Sequence, residues 1–343
     1  MKALVFRNKQ ALVEERDTPQ ISAESNVLVK IKYSGICGTD IGALFGKFYC
    51  NEGVILGHEA AGVVAKVHPN VTAFHVGDPV VIGPIPYCDK CRYCRRGRHT
   101  LCVEKEKMEI GFRLNGTHAE YFLSNDTFLY PLPPEMPLIN GIFAEPLACL
   151  LNNLKYSFVE PGMSAFVYGA GPIGLIYYQL FSNLGCRTVI GEIAPHRVEL
   201  ASRLGQNVVD LKKKKPEQII REFNQGNRFD VVADVTGVAL EDALKLVDRG
   251  GEILLFGLNM NYNPVFNPAD LTINAIRILT SIDCDKTFLP AIQMIADKKI
   301  DVSGIITDTL PLDDYQSALT KLGFDPLTGT KLPVTAGKVA FAF

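Results

Sequence analysis

The chain contains no tryptophan and only six histidines among its 343 residues, and no apolar run approaches the roughly 20 residues that a bilayer-spanning helix requires. Its first stretch, MKALVFRNKQALVEE, lacks the apolar segment and small-residue cleavage site of a secretory leader. A membrane partner is therefore not expected, and the cytoplasm is the expected compartment. Charge of one sign is also missing: 35 Lys and Arg face 37 Asp and Glu, for a net charge of −2. No global field recruits nucleic acid or an anionic surface, so any partner must be recognised locally. Internal repeats and low-complexity tracts are absent too. With 47% hydrophobic and 21% charged residues the composition excludes disorder, and the length suits two domains with separate cores. Nine cysteines, an odd number in a chain this long, argue against a secreted disulfide scaffold and for a reducing compartment.

What is present begins with four of those cysteines. Cys88, Cys91, Cys94 and Cys102 follow the spacing C-x2-C-x2-C-x7-C. A tetrahedral zinc site needs ligands close in sequence, since each Zn–S bond is only about 2.3 Å and the backbone must curl around the ion. Two-residue gaps allow this, whereas cysteines so close rarely meet disulfide geometry. The reading is a structural zinc in a lobe of about residues 86–105, closed by four thiolates. Residues 88–107 carry seven Lys or Arg against three Asp or Glu, which raises the alternative of a non-enzymatic zinc module that binds nucleic acid. Without aromatic interleaving or a recognition helix, the lobe reads instead as a solvated surface or a subunit contact, and no nucleic-acid partner is expected.

From Met1 to about Phe128, short apolar runs broken by Gly and Pro predict an all-β region, with strands near 26–33, 60–67 and 79–82. At Ser164 the texture changes. SAFVY, TVIG, FDVVADV, EILLFG and IRILTSI alternate with helical segments at Pro172–Leu184, Pro195–Leu204 and beyond Pro216 and Ala239, predicting a doubly wound, parallel, six-stranded sheet. A helix at Phe288–Ala296 and a Pro/Gly/Thr-rich stretch follow, then the strand GKVAFAF, which is expected to return to the β region. The fold class is α/β in two domains, 1–150 with 285–343 and 151–284. The run Lys212–Lys215 reads as a solvated loop.

Gly169, Gly171 and Gly174 form G-x-G-x-x-G between the strand SAFVY and a helix opening at Pro172 and Ile173. The first glycine permits a tight turn, the second lets a pyrophosphate approach, and the third lets helix and sheet pack closely; the free N–H groups of the helix then hold the phosphates. Glu192 ends the next strand, where a carboxylate meets ribose hydroxyls and repels a 2′-phosphate, favouring NAD over NADP, while Arg197 nearby could accommodate that phosphate. A second set, Cys37 in GICGTD, His58 and Glu59 in GHEAAG, and Glu145 in AEPLAC, supplies S, N and O donors that zinc accepts. Spread over more than 100 residues, these four by spacing alone read more readily as a core cysteine, a structural turn and a segment opening than as a metal site.

Together GICGTD, GHEAAG with VGDPV, the four-cysteine lobe, AEPLAC and VYGAGPIG resemble the zinc-dependent medium-chain alcohol dehydrogenases, and Glu145 matches their polyol (sorbitol-like) and threonine dehydrogenase branch. The resemblance implies a GroES-like catalytic domain and a Rossmann domain. It also implies a catalytic zinc on Cys37, His58 and Glu59, with Glu145 bound directly or through water, in addition to the structural zinc. Thr39 would take the substrate proton and Asp40 would orient His58. The implied reaction is reversible oxidation of a secondary alcohol of a polyol, sugar alcohol or sugar acid to the ketone, with hydride passing to NAD, in a homodimer or homotetramer. One departure stands out. Many members place a proton-relaying histidine where this chain has Gly42, and His118 in GTHAEY reads as a hairpin surface position rather than its replacement. Cys50, Cys149, Cys186 and Cys284 read as small core residues. The competing readings are a zinc-free, NADP-dependent quinone or enoyl reductase of the same plan, and an NAD-binding scaffold without turnover.

Overall fold

The alternation in VLVKIKYSG buries Val27, Val29 and Ile31 completely along one face of the strand Val27–Gly35, and this strand organises the first of two structural units. The structure, a computed structural model, describes residues 1–284 and 286–343. It divides into Met1–Ala148 with Asp283–Phe343, and Cys149–Ile282. Asp285, where the sequence reading set its second boundary, lies outside the described residues.

In the first unit Val27–Gly35 pairs antiparallel with Glu59–Val67 on one flank and with the terminal strand Lys338–Ala342 on the other. Ile306–Pro311 extends the sheet beyond the terminal strand; Pro79–Ile82 and Leu129–Pro131 extend it beyond Glu59–Val67. Tyr121–Ser124 also pairs with Val27–Gly35. One core gathers Val27, Val29, Ile31, Val64, Val80, Ile82 and Phe122; a second packs Leu4, Ile41, Leu44, Phe324 and Phe341 around the short helix Gly38–Leu44.

The second unit is a six-stranded parallel sheet in the order Val208–Asp210, Arg187–Glu192, Ser164–Tyr168, Phe229–Asp234, Val247–Leu255, Arg277–Thr280. Numbered along the chain this is 3-2-1-4-5-6, the dinucleotide-binding order, with its switch point beside Ser164–Tyr168. Four of its helices open on proline: Pro172, Pro195, Pro216 and Pro268. At a first helical position the missing N–H is no loss, and the fixed φ is already helical. The strand VVD at 208–210 has three residues, too few to stand out as an apolar run.

Candidate active site and metal centres

Strand register assembles the first cluster. Gly35 lies opposite Glu59 on one flank and opposite Ala340 on the other, so the chain leaves the sheet at Cys37 beside the entry point of His58 and Glu59. The candidate ligand atoms of Cys37, His58 and Glu59 all lie within 4.8 Å of one another; His58 and Glu59 are buried and Cys37 is half-buried. Glu145, in the first turn of the helix Ala144–Leu154, is outside that set of three, though its charge reaches His58.

The register also brings in a residue that sequence reasoning missed. Lys338 donates from Nζ to Oε2 of Glu59, and both side chains are almost wholly buried. Burial pulls the Lys338 ammonium down, but the Glu59 carboxylate and Cys37 outweigh it and hold it above its ordinary value. The pair crosses directly over Gly35: a Cβ there would lie 2.8 Å from Lys338 Cε and 2.9 Å from Glu59 Oε2. A lysine opening an otherwise apolar terminal strand was the available signal.

Asp40 binds the cluster from behind. It accepts the Cys37 backbone N–H at 2.9 Å, with His58 Nδ1 3.7 Å from Oδ1 and His118 Nε2 3.5 Å from Oδ2. Burial would raise this carboxyl, but the His58 charge and the His118 contact prevail and hold it at about 2. The same pairing lifts His58 well above its usual range: burial opposes the cation, and Asp40, Cys37 and Glu145 outweigh burial. Thr39 Oγ1 is buried with no hydrogen-bond partner among the described residues, an orphan that a substrate hydroxyl would satisfy. At Gly42 the expected histidine has no room, because a Cβ would lie 2.5 Å from the Phe48 ring.

His118 is not on a hairpin surface. It is 1% exposed, because backbone bonds from Gly116, Thr117 and His118 to Ile55, Gly57 and Leu56 lay this segment along the approach to His58. Gly57, at φ +92°, has no space for a side chain beside the His118 ring. Cys284 also departs from expectation: it is half-buried, whereas Cys50, Cys149 and Cys186 are buried.

In the lobe, the sulfurs of Cys88, Cys91, Cys94 and Cys102 converge within 4.8 Å. Tight 3₁₀ turns at Cys94–Arg96 and His99–Leu101 reverse the chain around them. Cys91 Sγ accepts the Cys94 N–H and Cys102 Sγ accepts the Cys88 N–H, at 3.5 and 3.3 Å. Such bonds stabilise thiolate, and the Cys91 thiol is lowered to about 6, chiefly by the Cys94 N–H. The donor set is all sulfur, with no further position for a reacting group.

In the second unit the glycine turn is built as its spacing requires. Gly169 adopts φ +98°, and a Cβ on Gly174 would lie 1.7 Å from the Gly169 carbonyl oxygen. Glu192 is buried; one carboxylate oxygen accepts the Ala170 N–H at 2.8 Å and the other accepts from Ile193 and Ala194 at 2.7 and 2.9 Å. It braces the turn. Arg197 Nη1 is 4.0 Å from Glu192, its guanidinium lies against Gly171, and its Nε is buried without a partner among the described residues.

Two family profiles match the chain: "Alcohol dehydrogenase GroES-like domain" over residues 23–134 and "Zinc-binding dehydrogenase" over residues 172–297. D-arabitol-phosphate dehydrogenase of Enterococcus avium is 30% identical over 88% of this chain and 88% of its own. The chain belongs to the zinc-dependent medium-chain polyol dehydrogenase family. Sorbitol dehydrogenase of Bacillus subtilis is 27% identical over 94% and 93% of the two chains. A crystal structure described as a zinc-binding dehydrogenase from Sinorhizobium meliloti 1021 bound to NADP aligns with TM-score 0.90 and 26% identity, over 100% of this chain and 99% of that one. The donor sets here suit zinc, and the glycine turn suits a nicotinamide dinucleotide. Among the described residues no helix is long and apolar enough to cross a membrane.

Proposed function

We propose that this polyol dehydrogenase interconverts a secondary alcohol of a polyol, sugar alcohol or sugar acid and the corresponding ketone, using NAD, with Cys37, His58, Glu59 and Glu145 as the catalytic metal set. The observation that carries this reading is the convergence of Cys37, His58 and Glu59 beside the unpartnered, buried Thr39 hydroxyl. Bound there, zinc would supply Lewis acidity toward the substrate oxygen, and a nicotinamide would take the hydride. Thr39 Oγ would accept a hydrogen bond from the substrate hydroxyl, and the proton released on oxidation would be relayed from it to water. Asp40 orients His58, and Lys338 holds one oxygen of Glu59. Glu145 either joins the set directly or acts through water. Cys88, Cys91, Cys94 and Cys102 hold a structural zinc, which makes one catalytic and one structural ion per chain.

Gly169, Gly171, Pro172, Ile173 and Gly174 cradle the pyrophosphate, with Arg197 facing it. The buried Glu192 carboxylate supports NAD, since a 2′-phosphate beside it would be repelled. The cytoplasm is the proposed compartment, and a homodimer or homotetramer is the expected assembly.

A panel of free and phosphorylated sugar alcohols and sugar acids, read at the NADH and NADPH absorbance, tests this reading. Turnover of at least one polyol with a preference for NAD is expected. A protein with two tightly held zinc ions that reduces only quinones or enones, or that turns over nothing, overturns it.

A further inference from the structure

Two histidines share the buried Asp40 carboxylate, and the polyol dehydrogenase reading uses only one of them. His118 packs edge to face on Phe341 and lies against Gly57, sealed from solvent. Its Nδ1 lies 2.8 Å from Ser34 Oγ, and Ser34 Oγ lies 2.9 Å from Thr117 Oγ1; all three side chains are buried. Its Nε2 faces Asp40 Oδ2 at 3.5 Å.

The nitrogen that faces the carboxylate sets the order of the protons along this chain. An ionised carboxylate accepts hydrogen bonds and donates none, so the nitrogen facing Asp40 must carry a proton. A lone pair aimed at a buried carboxylate would be repelled with little solvent screening. In the neutral ring that proton sits on Nε2 and leaves Nδ1 as the acceptor. Its Nδ1 accepts from Ser34, and Ser34 in turn accepts from Thr117. Applied to His58, the same rule puts a proton on Nδ1, which faces Asp40 at 3.7 Å, so Nε2 is the nitrogen left to meet a cation.

We infer that His118, locked by Ser34, is a positioning residue for the metal ligand His58, acting through Asp40. The Cys37 N–H donates to Oδ2 and His118 Nε2 stands 3.5 Å from that same oxygen, which leaves Oδ1 on the side of His58. The imidazole is held in the tautomer and orientation that ligate. This rests on the reading that Cys37, His58 and Glu59 hold a cation.

The test compares wild type, His118→Phe and His118→Gln in zinc retention against a graded chelator, and in kcat and KM with a polyol found active. Phenylalanine keeps the packing and removes the donor, whereas glutamine keeps an N–H that reaches toward Asp40. Outer-shell partners of metal-bound histidines are typically worth about 10- to 100-fold in metal affinity or activity. His118→Phe is expected to release one of two zinc ions at 10- to 100-fold lower chelator strength and to lower kcat comparably, with polyol KM little changed. His118→Gln should recover most of both. A purely structural role predicts equal losses in both variants, tracking unfolding temperature rather than zinc affinity, and that outcome overturns the inference. So does a His118→Phe enzyme that retains zinc and turns over like wild type. If wild type holds only the zinc of the cysteine lobe, the assignment of the catalytic set itself has failed, a separable result. Should His118→Phe not fold, Ser34→Ala carries the test, because it leaves the ring in place and removes only the lock on its tautomer.

Discussion

Lys338 and Glu59 form an ion pair with side chains 5% and 2% exposed, at the edge of the proposed catalytic cluster. Removing one member of such a pair leaves an uncompensated charge and typically costs about 3–5 kcal/mol. Lys338→Met should therefore destabilise the zinc-free protein by about that amount, and by less when zinc is bound, because the cation then meets the stranded carboxylate. Thermal unfolding with and without zinc measures both, and a zinc-free loss near zero would contradict the buried pairing. Thr39→Val keeps shape and removes the orphan hydroxyl. A loss in kcat of about 10²- to 10⁴-fold, the usual contribution of proton transfer, is expected, with zinc content unchanged. Near-normal turnover by this variant would move the proton-accepting role elsewhere. Gly42→His is not expected to restore a relay, since Phe48 fills the space it would enter.

Among elements, the turn from Ser164–Tyr168 into Pro172–Asn183 discriminates between its glycines. A methyl at Gly174 would strike the backbone carbonyl of Gly169 at 1.7 Å, whereas one at Gly171 meets only the mobile end of Arg197 at 3.4 Å. Gly174→Ala is thus expected to destabilise the fold of the second unit. Gly171→Ala should fold normally and instead weaken cofactor binding, which titration of NADH fluorescence against unfolding temperature separates. This element was legible in the sequence, because strand, glycine spacing and Pro172 are consecutive and their geometry is local. The same holds for the cysteine lobe. His118 was misread for the opposite reason: its neighbours Gly116 and Thr117 suggest an exposed turn, and only pairing with residues 55–57, some 60 positions earlier, buries it. The strand Val208–Asp210 stayed unmarked because three residues leave little pattern.

Across the molecule, the two sulfur and mixed-donor clusters should bind independently, since they lie on separate loops of the first unit. Cys91→Ser is expected to reduce zinc from two ions to one per chain and to lower unfolding temperature. Residual activity at low temperature should be kept, because the lobe has no open coordination position. Metal analysis with a rate assay checks this, and complete loss of turnover in a folded variant would give the lobe a chemical role. With a net charge of −2, the basic lobe alone is not expected to retard duplex DNA or RNA at physiological salt, as a simple gel assay would show. The sequence by itself determined the gathering of the four lobe cysteines, the glycine turn and the alternating α/β order, since each is written in spacings of a few residues that constrain local backbone geometry. Only the tertiary structure decided that Lys338 sits on Glu59, 279 residues away, and that His118 stands behind Asp40. Those contacts depend on the register between paired strands, and register is set by the packing of the whole sheet rather than by any short stretch of chain.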